Sequence, residues 1–287
     1  MSGDRAAVGV RNGRPPAGDD GLRAAAFTPS HRGGDGPPLV LLHGFLDTWR
    51  VWELVLPALE RRHDVLALTL AGHAGGPALP ATVDAATLPD AVERAMDEAG
   101  MATAHFVGNS LGGFVALQLA ARDRARSVVA FAPAGGWPAG DVSYRGLLAS
   151  QGELQRQARS IAPHARSLLS TPEGRRRATA LVTEHHEHLP AELLEHGLVG
   201  VARCDAAPLL EFAAREGYAL DAERITCPVR IAWGTADRLL PWPATAERYR
   251  RDWLPHADWV ELDGVGHCPQ LDVPLEAAQL VMGFTDR

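Results

Sequence analysis

Short apolar runs bounded by turn residues alternate with amphipathic stretches along most of this chain. Pro38 to Leu42, Val65 to Leu70, Ala104 to Val107, Val128 to Phe131, Pro228 to Trp233 and Trp259 to Leu262 are brief and almost wholly apolar. That is the pattern of strands buried on both faces. A further, irregular strand is expected near Leu22 to Phe27. Between the runs, helical spacing predicts helices over Trp49 to Arg62, Asp84 to Ala99, Leu111 to Ala121, Ala244 to Trp253 and Pro274 to Phe284. Strands separated by helices predict an α/β fold with a parallel sheet covered on both faces. From Pro133 to about Glu223 the strand-like runs stop, and helical patterns follow one another between prolines and glycines. The organisation expected is a core of residues 21–134 and 223–287, interrupted by a helical lobe over residues 135–222. Residues 1–20, rich in Gly, Arg, Pro and Asp, predict a flexible tail.

One strand-to-helix junction carries candidate chemistry, Gly108-Asn109-Ser110-Leu111-Gly112. Glycines beside a sharp turn allow tight backbone contact and lift the serine hydroxyl clear of the sheet. Serine at neutral pH is a weak nucleophile, so it requires a base of suitable pKa and an acid to orient that base. Candidates lie beyond the ends of two later strands, where sites of parallel sheets assemble. Asp237 ends Trp233-Gly234-Thr235-Ala236-Asp237, and His267 stands in Gly266-His267-Cys268-Pro269. After the strand-like run ending at Phe131-Ala132-Pro133, no carboxylate occurs before Asp141.

The order Ser110, Asp237, His267 and the strand–turn–helix setting of the serine resemble the α/β-hydrolase superfamily from Leu39 to Phe284. Supporting motifs are His43-Gly44-Phe45, the elbow continued by Gly113, Pro241 after Asp237, and Asp272 with Pro274 after His267. The family's usual Asp-x-Pro-Gly-His-Gly is replaced by Thr69-Leu70-Ala71-Gly72-His73-Ala74. The resemblance implies an α/β-hydrolase fold, a mostly parallel central sheet flanked by helices with an inserted helical cap. It also implies Ser110 as nucleophile, His267 as general acid and base, Asp237 as its orienting acid, and an oxyanion hole from the Phe45 and Leu111 N–H groups. Leu111 fits that role independently, because the first N–H groups of a helix lack internal partners. The activity implied is cofactor-independent hydrolysis of a carboxylic ester or lactone of a small, largely apolar molecule. Carbon–carbon bond hydrolysis, perhydrolysis and acyl transfer use the same triad, and a hydrolase-fold ligand receptor is the alternative of another class. A serine nucleophile disfavours the haloalkane dehalogenases and epoxide hydrolases that attack through aspartate. Trp137, Tyr144, Leu147 and Leu148 are candidate pocket residues in the cap.

Composition narrows the remaining choices. The net charge is −7, and no basic run marks a nucleic-acid surface. All 28 basic residues are arginine, which excludes Schiff-base lysines, lysine-anchored pyridoxal phosphate and a Walker-type phosphate lysine. Arg175-Arg176-Arg177 reads as a solvated helix face. Three scattered cysteines suit a reducing compartment better than a disulfide framework. With no leader-like or membrane-spanning apolar segment, a cytoplasmic protein is expected, acting on a small molecule without membrane or nucleic-acid partners. Nothing in the sequence specifies an oligomeric state. Glu184-His185-His186-Glu187-His188 places His185 and His188 on one face of an expected helix, as metal ligands can be; a solvated polar face is the expectation, with no metal. His43 and His73 are expected to hydrogen-bond within turns, His105 to pack within its strand, and Cys268 to be a small packing residue.

Overall fold

The computed structural model describes residues 26–286. Its first strand, β1 (Ser30–Gly33), is followed by β2 (Pro38–Leu42), a 3₁₀ turn (Trp49–Trp52), α1 (Leu56–Leu59), β3 (Asp64–Leu68), α2 (Thr87–Glu98), β4 (Ala104–Asn109), α3 (Leu111–Ala120) and β5 (Ala125–Phe131). Five helices then succeed one another, α4 (Tyr144–Ile161), α5 (Ala165–Leu169), α6 (Pro172–Thr179), α7 (Ala191–Arg203) and α8 (Ala207–Glu216). The sheet resumes with β6 (Val229–Gly234) and β7 (Asp258–Leu262), and the chain closes with α9 (Pro269–Asp272) and α10 (Pro274–Thr285).

The seven strands lie in the order β1-β3-β2-β4-β5-β6-β7, with β1 antiparallel to β3 and every other pairing parallel. Alternation along the strands divides the core. Val40, Leu42, Leu66, Phe106, Val128 and Ile231 face one apolar cluster, while Leu39, Leu41, Val65, Val107, Val129 and Ala232 face the other. Because the chain winds outward in both directions from β2, the crevice of the sheet opens between the loops after β2 and β4. Phe45 and Ser110 stand on those two loops.

Three expected elements differ. Residues 22–25 of the expected first strand lie outside the described residues, and the strand that does form is the polar segment Ser30–Gly33. As an edge strand it pairs with β3 alone, so it has no apolar run to announce it. Trp49 to Arg62 is broken rather than continuous: Thr48 caps a 3₁₀ turn, and α1 starts afresh with Pro57 in its first turn. Ala244 to Trp253 divides into a 3₁₀ turn and a π turn at Tyr249–Trp253, closed by the Leu254 N–H on the Tyr249 carbonyl. Tyr249 is fully buried, its hydroxyl donating to Ala134 O at 2.6 Å.

Among the described residues no helix is long and apolar enough to cross a membrane.

Candidate active site

The elbow is built by close backbone packing. A Cβ on Gly112 would stand 2.2 Å from the Leu42 carbonyl oxygen, and one on Gly108 would stand 2.2 Å from Gly112 O. Both obstacles are backbone, so neither position accepts a side chain without separating α3 from β2 or β4. Ser110, held between them, has φ +54° and ψ −117°, an unfavourable region for a residue with a Cβ. The surroundings impose it: Ser110 N–H donates to Phe131 O (2.9 Å), and its carbonyl accepts from the Phe114 and Ala134 N–H groups (3.1 and 3.0 Å). Leu46, next to Phe45, is likewise left-handed at φ +70°. Two strained residues thus flank one crevice. Among the described residues neither the Phe45 nor the Leu111 N–H is spent on a hydrogen bond. A Cβ on Gly44 would touch the Ser110 Cβ at 3.3 Å, which shows how closely the Phe45 loop passes the elbow.

The loops after β6 and β7 bring Asp237 and His267 together. His267 Nδ1 lies 2.7 Å from Asp237 Oδ2, with both side chains almost wholly buried. The other carboxylate oxygen accepts from the Leu239 and Leu240 N–H groups at 2.8 and 2.7 Å, so the acid is fixed on both sides. A carboxylate only accepts; Nδ1 therefore carries the imidazole proton and Nε2 presents a lone pair. That Nε2 is buried and makes no hydrogen bond among the described residues. Ser110 and His267 line the same chamber, and the serine hydroxyl is also unengaged.

Asn109, Gln270 and Asp272 bind this histidine turn to its surroundings; Asn109 and Asp272 stand in motifs visible in the sequence, which does not disclose this role, and Gln270 stands in none. Asn109 Nδ2 donates to His267 O (2.9 Å) and Phe131 O (3.1 Å), while its Oδ1 accepts from Gln270 Nε2 (3.1 Å) and lies 3.3 Å from Cys268 Sγ. The buried Asp272 carboxylate accepts from Gly266 N–H (2.6 Å) and from two residues of the helical layer, Glu184 (3.0 Å) and His185 (2.6 Å). Residues 184–188 are consequently irregular, not the expected helix. Glu184 pairs with Arg238, and His188 Nε2 lies 2.7 Å from Leu271 O. Among the described residues no three His, Cys, Asp or Glu side chains converge as metal ligands.

His43 and His73 occupy turn positions beneath the site. Leu70 N–H donates to His43 Nε2 (2.9 Å), so Nδ1–H donates to Gly44 O (2.6 Å) and the ring is neutral. Burial depresses His43 well below its usual range and His73 to about 4. His105, half-buried, lies 2.8 Å from Ser127 Oγ on the neighbouring strand. The Cys268 thiol, pushed up by burial and by the nearby Asp47, Asp237 and Asp272 carboxylates, accepts the packing role expected of it.

Two chambers meet at Ser110. The first, about 430 Å³, is walled by apolar side chains such as Leu88, Phe114, Trp137, Leu147, Leu148 and Tyr218. Tyr144, expected at the wall, stands behind it with its ring against Trp137 and Tyr218. The second, about 480 Å³, contains His267, Asp47, Arg50 and His196, and has exposed Leu154, Ile161 and Leu181 on its rim. Phe45, Ser110, Gln151 and Leu239 belong to both.

Asp47 has a raised pKa. Removal from water pushes its carboxyl from the usual 3.8 up to about 7, with a smaller opposing effect from the Thr48 N–H. Between pH 7 and 4 the folded chain therefore binds a proton at Asp47 that the unfolded chain lacks, and this contribution to stability grows on acidification. His73 acts in the opposite sense: its stabilisation is complete above 6.5 and is lost as pH falls toward 4, about 3 kcal/mol in all. Asp47→Asn retains only the histidine contribution, so its stability is expected to fall more steeply than the parent's from pH 7 to pH 4. Denaturant midpoints across that range measure it; equal slopes would mean that the Asp47 carboxyl ionises normally.

The α/β hydrolase fold family model matches residues 37–274. The chain is 33% identical over 223 residues to epoxide hydrolase EphH of Mycobacterium tuberculosis, spanning 71% of this chain and 96% of that protein. It is 30% identical over 272 residues to the pimeloyl-[acyl-carrier protein] methyl ester esterase of Aromatoleum aromaticum, spanning 85% and 96% respectively. In structure it is similar to carboxylesterase CesB from Bacillus subtilis, with a TM-score of 0.68 at 20% identity over 90% of this chain and 88% of that one. With its sheet order, its strained serine elbow and a family match over most of its length, this chain belongs to the α/β hydrolase fold family and is a hydrolase of that fold.

Proposed function

We propose that this hydrolase cleaves a carboxylic ester or lactone of a small, largely apolar molecule through an acyl-enzyme on Ser110. The observation that carries this reading is the Nε2 lone pair of His267, unengaged and held in its tautomer by Asp237, in the chamber that Ser110 also lines. Ser110 Oγ bonds to the substrate carbonyl carbon while its proton passes to Nε2. The carbonyl oxygen becomes an oxyanion facing the Phe45 and Leu111 N–H groups, each worth about 3 kcal/mol to the transition state. Collapse breaks the bond to the leaving group, which takes the proton from Nε2. Water then repeats the sequence at the acyl carbon and regenerates Ser110.

Proton delivery also assigns the chambers. The leaving group must receive its proton from His267, which lines only the second chamber, so the leaving group occupies that chamber and the acyl chain the apolar first one.

The relative named as an epoxide hydrolase raises a second chemistry. Opening an epoxide with a serine oxygen would leave an ether, which has no carbonyl for water to attack; a serine nucleophile suits an acyl group instead. A panel of p-nitrophenyl esters of graded acyl length, lactones and epoxides tests the reading, with mass spectrometry of the trapped enzyme. Turnover with an acyl mass on Ser110 is the expected result. Epoxide turnover without ester turnover, or saturable binding with neither adduct nor turnover, would overturn it.

A further inference from the structure

Asp47 lies two residues beyond Phe45, on the loop that would supply one oxyanion donor, and it lines the second chamber but not the first. Its position relative to the reacting carbonyl is therefore set by the same backbone. One carboxyl oxygen accepts from the Thr48 N–H at 2.8 Å. The other has no hydrogen-bonding or ionic partner among the described residues, although the chamber contains cationic and titratable side chains. Arg50, on the same loop, is engaged by Glu53; Arg177 of α6 is exposed; His196 belongs to α7; and His267 is held by Asp237. None is paired with Asp47. Most of the remaining wall is apolar, with Leu46, Val51, Val182, Leu193 and Leu271 prominent.

Such a group is costly to keep in the folded chain, and the Thr48 N–H it accepts from does not require a charged partner. Asparagine or serine would accept the Thr48 N–H equally well without a charge. Burial has already driven the carboxyl to about 7, and the Thr48 N–H offsets only a smaller part of that cost. Its charge also reaches Cys268, the neighbour of the histidine that would protonate the leaving group. A polar atom open to a chamber of apolar walls is where a ligand's own polar group gains most, because the alternative is an unsatisfied acid.

We propose that Asp47 is a specificity-determining residue that selects substrates whose leaving group carries a hydrogen-bond donor, a hydroxyl or an amine, on an otherwise apolar body. The inference rests on the ester-hydrolase reading and on the leaving group's place beside His267. Asp47 accepts from the donor through its open oxygen while the Thr48 N–H holds the other. A leaving group of the same shape ending in a methyl leaves that oxygen unpaired.

Near-isosteric pairs of esters sharing one acyl group, 2-hydroxyethyl with propyl, 3-hydroxypropyl with butyl and 4-hydroxybutyl with pentyl hexanoate, test this directly. The parent enzyme is expected to favour the hydroxylated member of at least one pair by about tenfold in kcat/KM. Asp47→Leu is expected to abolish that ratio, and Asp47→Asn to weaken it, because its one amide oxygen stays on the Thr48 N–H and its NH₂, a donor, takes the place of the open carboxyl oxygen. Thermal melts of both variants establish that they are folded, and the ratio within each enzyme cancels any general loss of activity. Turnover of the esters with no preference in the parent, or with a preference that Asp47→Leu leaves intact, overturns the role of Asp47 while the hydrolase reading stands. No turnover of any hexanoate or p-nitrophenyl ester by the parent overturns both.

Discussion

Ser110→Ala is expected to reduce hydrolysis of a good ester by a thousandfold or more while leaving the melting temperature nearly unchanged. Each half of that expectation has a structural cause. The hydroxyl makes no hydrogen bond among the described residues, so its removal leaves no buried partner there unsatisfied. Alanine retains a Cβ and therefore the same unfavourable backbone at φ +54°, and the Phe131, Phe114 and Ala134 hydrogen bonds that impose it are made by main-chain groups. The elbow survives; the nucleophile does not. Residual turnover would come from the two N–H donors and from substrate positioning, which are untouched. Single-turnover kinetics with a p-nitrophenyl ester, set beside circular dichroism melts, measures both halves. Rates within tenfold of the parent would remove Ser110 as nucleophile.

Asp237→Asn is expected to lower kcat by about 10³–10⁴-fold through a single misplaced proton. The Leu239 and Leu240 N–H groups both point at Asp237 Oδ1, so an asparagine must keep its carbonyl oxygen there. Its NH₂ then faces His267 Nδ1 at the site of the 2.7 Å contact and donates to it. Nδ1 becomes an acceptor, the imidazole proton moves to Nε2, and the lone pair needed to take the serine proton is gone. Flipping the amide would oppose its donors to two N–H groups. Nitrogen NMR of the histidine ring reports the tautomer independently of rate. An Nδ1–H tautomer with near-parental kcat would show that Asp237 does not orient the base.

The five interior strands, β2 to β6, were legible in the sequence because they are short, largely apolar and buried on both faces, and the observed bounds fall close to the runs that announced them. Of the two edge strands, β7 kept enough apolar residues to be seen at Trp259 to Leu262, and β1 did not. The edge strand Ser30–Gly33 is polar, and the stretch from Ala244 to Trp253 has helical spacing, yet the structure breaks it around the buried Tyr249. At the site, Ser110, Asp237 and His267 could be sought at strand ends because topology concentrates loops there. Asp47 could not: in sequence it is an acidic residue in a turn, and what removes it from water includes α4 and α7, which begin about 100 and 140 residues further on. Chamber walls have the same origin. The sequence offers Trp137, Tyr144, Leu147 and Leu148 alike as lining candidates, and only packing decides that Tyr144 stands behind Trp137.

Asp272 gives the helical layer a second meaning. Through one carboxylate it grips the Gly266 N–H at the root of the histidine turn and the N–H groups of Glu184 and His185 above it, while Cys268 N–H donates to Val182 O at 2.9 Å. The roof and the base are therefore one mechanical unit along this seam. Lifting the roof there would pull on the loop that holds His267 in register with Asp237. If His267 carries the proton as proposed, opening the roof at this seam would disassemble the carrier, so substrate and product would have to pass where the roof is not tied to the histidine turn, as at the exposed Leu154 and Ile161 of α4.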